Sequence, residues 1–403
     1  MAIRGSVTHG VTPGIRSGGT GLPMNVSQLF TEAVLSAPSG QLTLRNRTFL
    51  APMCMYSVDA RDGVPTPWHQ VHLGARAAGG FGMVIAEATA VVPEGRISPE
   101  DLGLWNDEQV VAFKPITAFI KSQGAAAGVQ LAHAGGKAST YGWLPRWVDK
   151  GLTGSVPVDD GGWVTVAPSV TSIHGLAESH ELTVEEIQKS VASWAAAARR
   201  ADEAGFDFIQ IHAAHGYLVH QFLSPLSNTR TDSYGGSFEG RTRYLREVVA
   251  AVREVWPDEK PLGVRFSGSD WVEGGWTIEE TARLAVELRA EGVTVFDLSS
   301  GGIGAYHGPT GPGYQIALAD EVKKALAADA DERGVENDAF ITAVGMINEA
   351  QQAEQVLVNG QADGVSIARA ALKEPNWAAL AARSLGEPLD KTPYAPQYWR
   401  AHW

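Results

Sequence analysis

The hydrophobic positions of this chain fall into short continuous runs, which alternate with amphipathic stretches from about residue 42 onward. The runs lack the alternation of polar and apolar residues expected of a sheet with one solvated face, so they are typical of parallel strands covered on both sides. Eight such runs predict eight strands, at Thr48–Met53, Gly82–Glu87, Ala126–Leu131, Phe206–Ile211, Leu262–Phe266, Val293–Leu298, Ala339–Ala343 and Gly364–Ile367.

The stretches between the runs carry the signals of helices. Thr183 with Glu186, and Thr277 with Glu280, fit the Thr-x-x-Glu pattern of a capping box. Residues 241–255 place apolar side chains three or four positions apart, which predicts an amphipathic helix. This alternation favours one closed (β/α)8 TIM barrel, an α/β fold, over an open doubly wound sheet. An open sheet would normally have a glycine-rich phosphate loop after its first strand, where this chain has Pro52-Met53-Cys54-Met55-Tyr56.

Three segments lie outside the alternation. Residues 133–182 are too long for an ordinary loop, so we expect a small cap after the third barrel strand. Residues 212–240 follow the fourth strand, and both insertions lie on the side of the barrel where active sites are found. Residues 1–25 are rich in Gly, Ser and Thr, and we expect a flexible extension before a single barrel domain over residues 26–403.

Composition narrows the classes of function. The 403 residues include 32 Lys and Arg against 45 Asp and Glu, without a basic run, which argues against a nucleic-acid partner. The single Cys excludes an internal disulfide framework and a cysteine-ligated iron–sulfur cluster, and it fits a cytoplasmic setting. No apolar stretch approaches the ~20 residues of a membrane span, and the N-terminus lacks the apolar core of a signal peptide.

The strongest chemical signal lies at the end of the fourth predicted strand, where the chain places His212, His215 and Tyr217. Imidazoles can donate hydrogen bonds to a carbonyl oxygen, and a phenol can deliver a proton. The group therefore suits the activation of a carbonyl compound and the protonation of a nearby carbon. The two imidazoles could instead bind a metal, although no third and fourth ligand cluster at the same strand ends. They could also be two structural histidines.

The loops after the seventh and eighth strands predict a phosphate site, because this pair of loops often holds phosphate in barrels. Gly345 allows the backbone to come close, and Arg369 supplies a bidentate donor. Alone, the first would be an ordinary turn glycine and the second a solvated arginine. Together, at these two strands, they favour phosphate.

These residues belong to longer motifs that resemble those of the old yellow enzyme family of FMN-dependent ene-reductases, which includes NADPH dehydrogenases. The chain is most similar to the bacterial branch with a cysteine near the flavin, from about residue 29 to residue 403. The motifs are Ala51–Tyr56, Glu87–Thr89, Gln130–Gly135, His212–Tyr217, Asp232–Ser237, Val264–Ser267 and Gln397–Arg400.

The resemblance implies noncovalent FMN at the barrel top, with NADPH or NADH as reductant. Cys54 would lie near the flavin C4 carbonyl and tune its potential. Arg265 would stabilise the anionic reduced flavin by its charge, although from the sequence alone it could equally form a salt bridge to a core carboxylate. The cofactor-binding residues implied are Pro52, Met53, Cys54, Ala88, Gln130, Arg265, Gly345, Ala368 and Arg369.

The resemblance also implies the reaction, which is reduction of the C=C bond of enones and enals by a ping-pong mechanism. His212 and His215 would hold the substrate's carbonyl oxygen, Tyr217 would protonate the carbon alpha to the carbonyl, and Tyr56 would line the pocket from the other side. Two alternatives from other classes stay open. One is a metal-dependent hydrolase or lyase that uses the two histidines, and the other is a non-catalytic flavin-binding sensor.

The C-terminal tail and Gly136 are two further features of the sequence that bear on function. Tyr398, Trp399 and Arg400 resemble a segment that reaches into a neighbouring subunit's site, so the resemblance implies a homodimer or a dimer-based oligomer in which Arg400 contacts substrate. The density of aromatic residues in the tail favours an interface over a frayed end. Gly136 stands where the family usually has Arg, which bears on a coenzyme preference that the resemblance otherwise assigns to NADPH.

Overall fold

The computed structural model describes residues 27–170, 172–398 and 400. These residues form strands β1 (Ala33–Ala37), β2 (Gly40–Leu44), β3 (Thr48–Leu50), β4 (Met83–Ala90), β5 (Ala126–Ala132), β6 (Val166–Ala167), β7 (His180–Glu181), β8 (Phe208–Ala213), β9 (Leu262–Ser267), β10 (Val295–Ser299), β11 (Phe340–Ala343) and β12 (Gly364–Ile367). The α-helices are α1 (Pro67–Ala78), α2 (Asp107–Ser122), α3 (Pro145–Val148), α4 (Val184–Glu203), α5 (Leu218–Leu223), α6 (Phe238–Arg253), α7 (Ile278–Ala290), α8 (Ile316–Arg333), α9 (Ala350–Val358), α10 (Arg369–Lys373) and α11 (Trp377–Ser384).

Eight of the strands close into a parallel barrel, in the order β10-β11-β12-β3-β4-β5-β8-β9. The predicted (β/α)8 barrel is therefore confirmed, and each of the eight predicted strands is present with ends displaced by up to three residues. Strand β3 ends at Leu50 rather than Met53, since Pro52 has no N–H to donate to the ladder. Strand β4 continues past Glu87 to Ala90, across a register shift between Ala86 and Ala88.

The barrel is filled and closed at the end where its strands begin. Phe49, Met83, Phe208 and Phe340 form a buried cluster there. The hairpin of β1 and β2 packs Leu35 and further apolar side chains onto this cluster. The other end, where the strands finish, is consequently the end open to ligands.

The predicted helix signals are present in the structure. The Thr183 side chain accepts a hydrogen bond from the Glu186 N–H at the start of α4, and Thr277 does the same for Glu280 at the start of α7. The apolar stripe predicted over residues 241–255 lies on α6. These helices pack their buried faces onto the barrel.

Among the described residues, no helix is long and apolar enough to cross a membrane.

The insertion after β5 contains only short elements, among them α3 and the two-residue strands β6 and β7. Arg230 ties it to the insertion after β8, because its buried guanidinium donates to the carbonyls of Pro168 (2.7 Å) and Leu182 (2.6 Å). Asp232 holds the same guanidinium at 2.6 Å. The two insertions are thereby joined into one cap over the barrel mouth.

The C-terminal tail lies at the closed end of the barrel. Ala395 and Gln397 line a cavity with Arg45 and Gln123, next to the chain segments that lead into β4 and β5. The predicted extension over residues 1–25 lies outside the described residues, as do Trp399 and residues 401–403.

Candidate active site

His212, His215 and Tyr217 form one cluster at the open end of the barrel. The His212 ring centroid lies 5.1 Å from that of His215 and 5.0 Å from that of Tyr217, both in edge-to-face arrangements. His212 is the last but one residue of β8, and the other two follow the strand. The structure thus brings together the three side chains that the sequence selected.

A left-handed turn orients this cluster. His215 has φ 60° and Gly216 has φ 74°, values that non-glycine residues adopt at a cost of roughly 1–2 kcal/mol. Gly216 also approaches the loop after β10, since a Cβ added to it would lie 2.1 Å from the carbonyl oxygen of Gly302. A Cβ added to Gly302 would in turn lie 2.1 Å from the carbonyl carbon of His215. The two glycines therefore let two loops meet backbone to backbone.

The electrostatic setting keeps all three groups neutral. Burial, with a smaller contribution from Arg265, lowers the pKa of both His212 and His215 well below the usual range of histidine. Burial raises the pKa of Tyr217 well above 10, and Cys54 and Asp101 add to this effect. Neutral imidazoles can donate one hydrogen bond each, and a phenol that keeps its proton can serve as an acid.

Lys137 is a member of the cluster that the sequence did not single out. Its Nζ donates to the carbonyl oxygen of His215 at 2.7 Å and lies 5.1 Å from the centre of the Tyr217 ring. Burial lowers the pKa of Lys137 from 10.5 to about 8. The sequence signal for Lys137 is its position shortly after the third barrel strand, directly after Gly136.

Gly136, where the family usually has Arg, is buried against the cap. A Cβ at this position would lie 2.9 Å from Ser179 Oγ, and the Gly136 N–H donates to Gln221 Oε1 at 3.1 Å. A larger side chain would have to displace this part of the cap. The substitution is therefore matched to the packing of the insertion.

Cys54 and Tyr56 approach the same mouth from the segment after β3. The Cys54 thiol is kept neutral, because burial raises its pKa and the carboxyl groups of Asp101 and Glu87 raise it further. Glu87 fixes this segment, since its Oε1 accepts the Met55 N–H at 2.9 Å. Burial also raises the pKa of Tyr56, which remains a neutral phenol facing the cavity under the cap.

Gln130 extends from β5 into the barrel and is buried. Its Nε2 donates to Gln210 Oε1 at 2.7 Å, and the two residues are direct partners in the β5–β8 ladder. This contact fixes which edge of the Gln130 amide donates and which accepts. The sequence signal for Gln210 is a polar residue inside an otherwise apolar strand.

Arg265 forms the salt bridge to a core carboxylate that was one of the two roles left open by the sequence. Its Nε lies 3.1 Å from Asp297 Oδ2, although the two groups are not aligned as a hydrogen bond. Asp297 is also held through its other oxygen by Thr342 (2.7 Å) and Ser366 (3.1 Å). Arg265 is thus paired with a core carboxylate and at the same time lines a cavity at the barrel mouth.

That cavity has a volume of about 160 Å³ and contains the residues predicted to hold phosphate. Gly345 has φ 120°, a conformation that favours glycine, and Ala368 and Arg369 complete the wall. Arg369 is exposed, begins α10, and has no ion-pair partner among the residues the structure describes. A cation without a partner beside close-approaching backbone suits a phosphate group.

A second cavity, of about 360 Å³, lies between the barrel mouth and the cap. Tyr56, Lys137 and Tyr217 contribute from the barrel, and the cap adds Trp143 and Leu176 among other side chains. Its size is that of a small-molecule site, and its walls are mainly aromatic and aliphatic.

Two further expectations concern a metal site and the C-terminal tail. Within the described part of the chain, no group of three or more His, Cys, Asp or Glu residues could hold a metal ion. Arg400 lies three residues beyond Gln397 at the closed end of the barrel. Three residues span at most about 11 Å, whereas an eight-residue strand is roughly 26 Å long, so Arg400 does not reach the site of its own chain.

Comparison with known proteins finds a family profile and individual relatives that match most of this chain. A profile of the NADH:flavin oxidoreductase / NADH oxidase family matches residues 38–387. A protein of Listeria innocua serovar 6a named NADPH dehydrogenase is 42% identical over 379 residues, which are 94% of this chain and 100% of the relative.

Solved structures give the same picture. An old yellow enzyme homologue from Zymomonas mobilis has a TM-score of 0.71 at 26% identity, covering 92% of this chain and 98% of that one. A 2-naphthoyl-CoA reductase in complex with 2-naphthoyl-CoA has a TM-score of 0.74 at 26% identity, with 91% of this chain and 53% of the larger chain covered. This chain thus spans about half of that reductase.

Proposed function

Because the chain belongs to the NADH:flavin oxidoreductase / NADH oxidase family, we propose that it reduces the C=C bond of α,β-unsaturated carbonyl compounds. The resemblance to old yellow enzymes is confirmed, and the chain is an FMN-dependent NAD(P)H oxidoreductase.

The residues at the barrel mouth fit a flavin mononucleotide. Arg265, which is paired through Nε with Asp297, lines the same cavity as Arg369, and Arg369 is a cation without an ion pair among the described residues. Gln130 presents an amide edge whose orientation Gln210 fixes. We assign the flavin ring to Pro52, Met53, Cys54, Ala88, Gln130 and Arg265, and its phosphate to Gly345, Ala368 and Arg369. When bound noncovalently, FMN supplies the redox chemistry by carrying two electrons from reduced nicotinamide to the substrate.

His212 and His215 bind the carbonyl oxygen of the substrate. The Nδ1 of His212 accepts the Ala214 N–H at 3.3 Å, so the proton of this neutral ring resides on Nε2, which is then a donor. The Nε2 of His215 contacts Ser299 Oγ at 2.7 Å. We assign the hydroxyl as the donor in this contact, which places the proton of the neutral ring on Nδ1 and makes that nitrogen the second donor to the substrate. Two neutral donors on one oxygen draw electron density from the conjugated double bond and make its beta carbon electrophilic.

Tyr217 supplies a proton to the alpha carbon. Its phenol stands edge-on to His212, on the cavity side, and keeps its proton because of its burial. A positioned acid of this kind contributes about 10²–10⁴-fold to a rate. We assign the rest of the substrate to the cap cavity, which Tyr56 and Tyr217 both line.

Arg400 acts on the site of a second subunit in this proposal. It cannot reach the site of its own chain, and it lies on an exposed tail at the opposite end of the barrel. We therefore propose a homodimer, or a dimer-based oligomer, in which the tail of one subunit contacts the substrate region of another. We also propose a cytoplasmic location, because the free Cys54 fits a reducing compartment.

The observation that carries the proposal is the neutral His212, His215 and Tyr217 cluster between the flavin-fitting residues and an apolar cavity. An anaerobic visible spectrum tests it, with NADPH and then 2-cyclohexenone added to the holoenzyme. Flavin bands that bleach with NADPH and return with the enone support ene-reduction. Bands that bleach and do not return would leave the oxidoreductase and remove the alkene chemistry, and a flavin that NADPH does not bleach would favour a sensor.

A further inference from the structure

The left-handed turn that orients the active cluster is held by side chains from several parts of the fold. The N–H of His215 donates to Ser267 Oγ at 2.9 Å, and its carbonyl accepts from Lys137 at 2.7 Å. The Gly216 carbonyl accepts from Gln221 Nε2 at 2.7 Å. The Gly216 N–H donates to Nδ1 of His220 at 2.9 Å. Every polar backbone group of this strained dipeptide therefore has a partner.

His220 is the least expected of these partners, because it is an imidazole with no exposed surface. Its Nε2 lies 3.0 Å from Asp270 Oδ1, off the axis of the ring N–H, and neither atom has another hydrogen-bond partner among the described residues. The other Asp270 oxygen accepts from Ser224 Oγ at 2.6 Å and from the Trp276 N–H at 2.8 Å. Burial would raise the pKa of Asp270, but His220 and these hydrogen bonds lower it, so the carboxylate is charged.

The charged carboxylate selects one tautomer of the imidazole. A carboxylate at Nε2 favours the proton on that nitrogen, which leaves Nδ1 as the acceptor that the Gly216 N–H requires. With the proton on Nδ1 instead, two donors would face each other across 2.9 Å. The chain of contacts from Asp270 through His220 to Gly216 is thus polarised in one direction.

We propose that Asp270 and His220 are positioning residues that hold the turn between His215 and Tyr217 in the geometry needed for proton transfer. This proposal rests on the proposed ene-reduction. Neither residue faces the cavities at the barrel mouth. They act through the Gly216 peptide, which directly joins the substrate-binding imidazole to the acid, and a displacement of about 1 Å in such a group can cost on the order of 100-fold in rate.

Asp270→Asn tests whether His220 must accept from the Gly216 N–H through Nδ1 and carry its proton on Nε2, toward residue 270. The Asn carbonyl oxygen must accept from Ser224 and Trp276, so its amide faces His220 and forces the opposite tautomer. We expect the limiting rate of flavin reoxidation by 2-cyclohexenone to fall on the order of tenfold or more. The limiting rate of flavin reduction by NADPH, which uses no proton from Tyr217, should change by less than about threefold. Ser224→Ala is the matched control, because it removes one side-chain hydrogen bond to Asp270, whereas Ser224 is bonded to His220 only through the backbone.

A binding measurement gives a second readout that needs no turnover. The phenol oxygen of 4-hydroxybenzaldehyde can accept from both imidazoles, so its dissociation constant for the oxidised holoenzyme reports their placement. We expect about a tenfold weaker affinity in Asp270→Asn and little change in Ser224→Ala. Equal affinities in both variants and the unmodified protein would overturn the proposal. If the unmodified holoenzyme fails to reduce the enone, the proposed function fails alone, and this titration still decides the positioning role.

Two substitutions of His220 keep the proposal falsifiable should Asp270→Asn fold poorly. His220→Asn places an oxygen near the position of Nδ1 and can still accept the Gly216 N–H, whereas His220→Gln places its amide near Nε2 and keeps only the contact with Asp270. We expect reoxidation and phenol binding to survive better in His220→Asn, by about fivefold or more. Equal losses in the two variants would show that His220 merely fills space.

Discussion

Gln130 and Gln210 are ladder partners on adjacent barrel strands, and a 2.7 Å hydrogen bond between their amides lies inside the barrel. The bond commits one N–H of Gln130 to the protein, which leaves its oxygen and second N–H for the flavin. We expect Gln210→Met to weaken FMN binding by about three- to tenfold, since the freed amide loses its orientation. Gln210→Glu, which retains an acceptor, should bind FMN more tightly than Gln210→Met. Fluorescence titration of the apoprotein with FMN measures this, and identical affinities in the two variants would contradict it.

The double substitution His212→Ala with His215→Ala should remove the site for the carbonyl oxygen and leave FMN bound. Each lost hydrogen bond is worth about 1 kcal/mol, so the affinity for 4-hydroxybenzaldehyde should fall roughly 10- to 100-fold. His180→Ala is a suitable control, because His180 is an exposed histidine paired with Glu186. Spectral titration of the holoenzyme makes the measurement. Unchanged affinity would remove the two histidines from substrate binding.

Tyr217→Phe should slow one half of the reaction only. Loss of the acid should lower the rate of flavin reoxidation by 2-cyclohexenone by about 10²-fold, while reduction by NADPH continues at nearly its normal rate. Tyr234→Phe removes a phenol that bonds Glu247 and serves as the matched control. Stopped-flow absorbance follows both steps. A similar decrease in both would point to a general loss of the site.

Lys137 predicts a pH dependence of stability. Its pKa is about 8 in the folded protein and 10.5 ordinarily, since burial disfavours the ammonium. Between these values the unfolded chain binds more protons than the folded one, so this group makes the free energy of unfolding rise with pH over that window. In urea unfolding of the holoenzyme at pH 7.5, 9 and 10, the free energy of unfolding of the unmodified protein should increase with pH relative to that of Lys137→Met. A difference that does not vary with pH would contradict the lowered pKa.

The tail predicts an effect that depends on assembly. Sedimentation should show a dimer or a multiple of it, and Arg400→Ala should weaken 4-hydroxybenzaldehyde binding about threefold or more in that assembly. Lys391→Ala changes another exposed cation of the tail and should have little effect. A monomer that binds the phenol normally would exclude a role for Arg400 in substrate binding.

The sequence predicted the barrel well because its strands are buried on both faces and therefore read as continuous apolar runs. It placed the end of β4 too early, at Glu87, because a buried carboxyl and Thr89 resemble the start of a loop. In the structure Glu87 is inside and bonded to the Met55 N–H, a contact across 32 positions of sequence. Such partners become visible only when the strands are side by side.

The same limit applies to the candidate site, where residues close together in the sequence could be predicted and partners from distant parts of the chain could not. His212, His215 and Tyr217 were predictable because they are close together in the sequence. Lys137 and Asp270 were not, because Lys137 meets the turn from 78 positions away along the chain, and Asp270, about 54 positions away, acts on it only through His220. For Arg265 the structure shows the ion pair with Asp297 and a place in the cavity wall, whereas its role toward the flavin stays a prediction.

The close approach of Gly216 to Gly302 limits how this site can be redesigned. A Cβ on Gly216 would collide with the backbone of Gly302, and a Cβ on Gly302 would collide with the backbone of His215. A library that randomises either position alone would therefore yield mostly misfolded or inactive members. Diversity in substrate scope is better sought in the cap, where Trp143 and Leu176 face the same cavity without backbone contacts of this kind. The pair thus separates a fixed chemical centre from a surface on which selectivity can evolve.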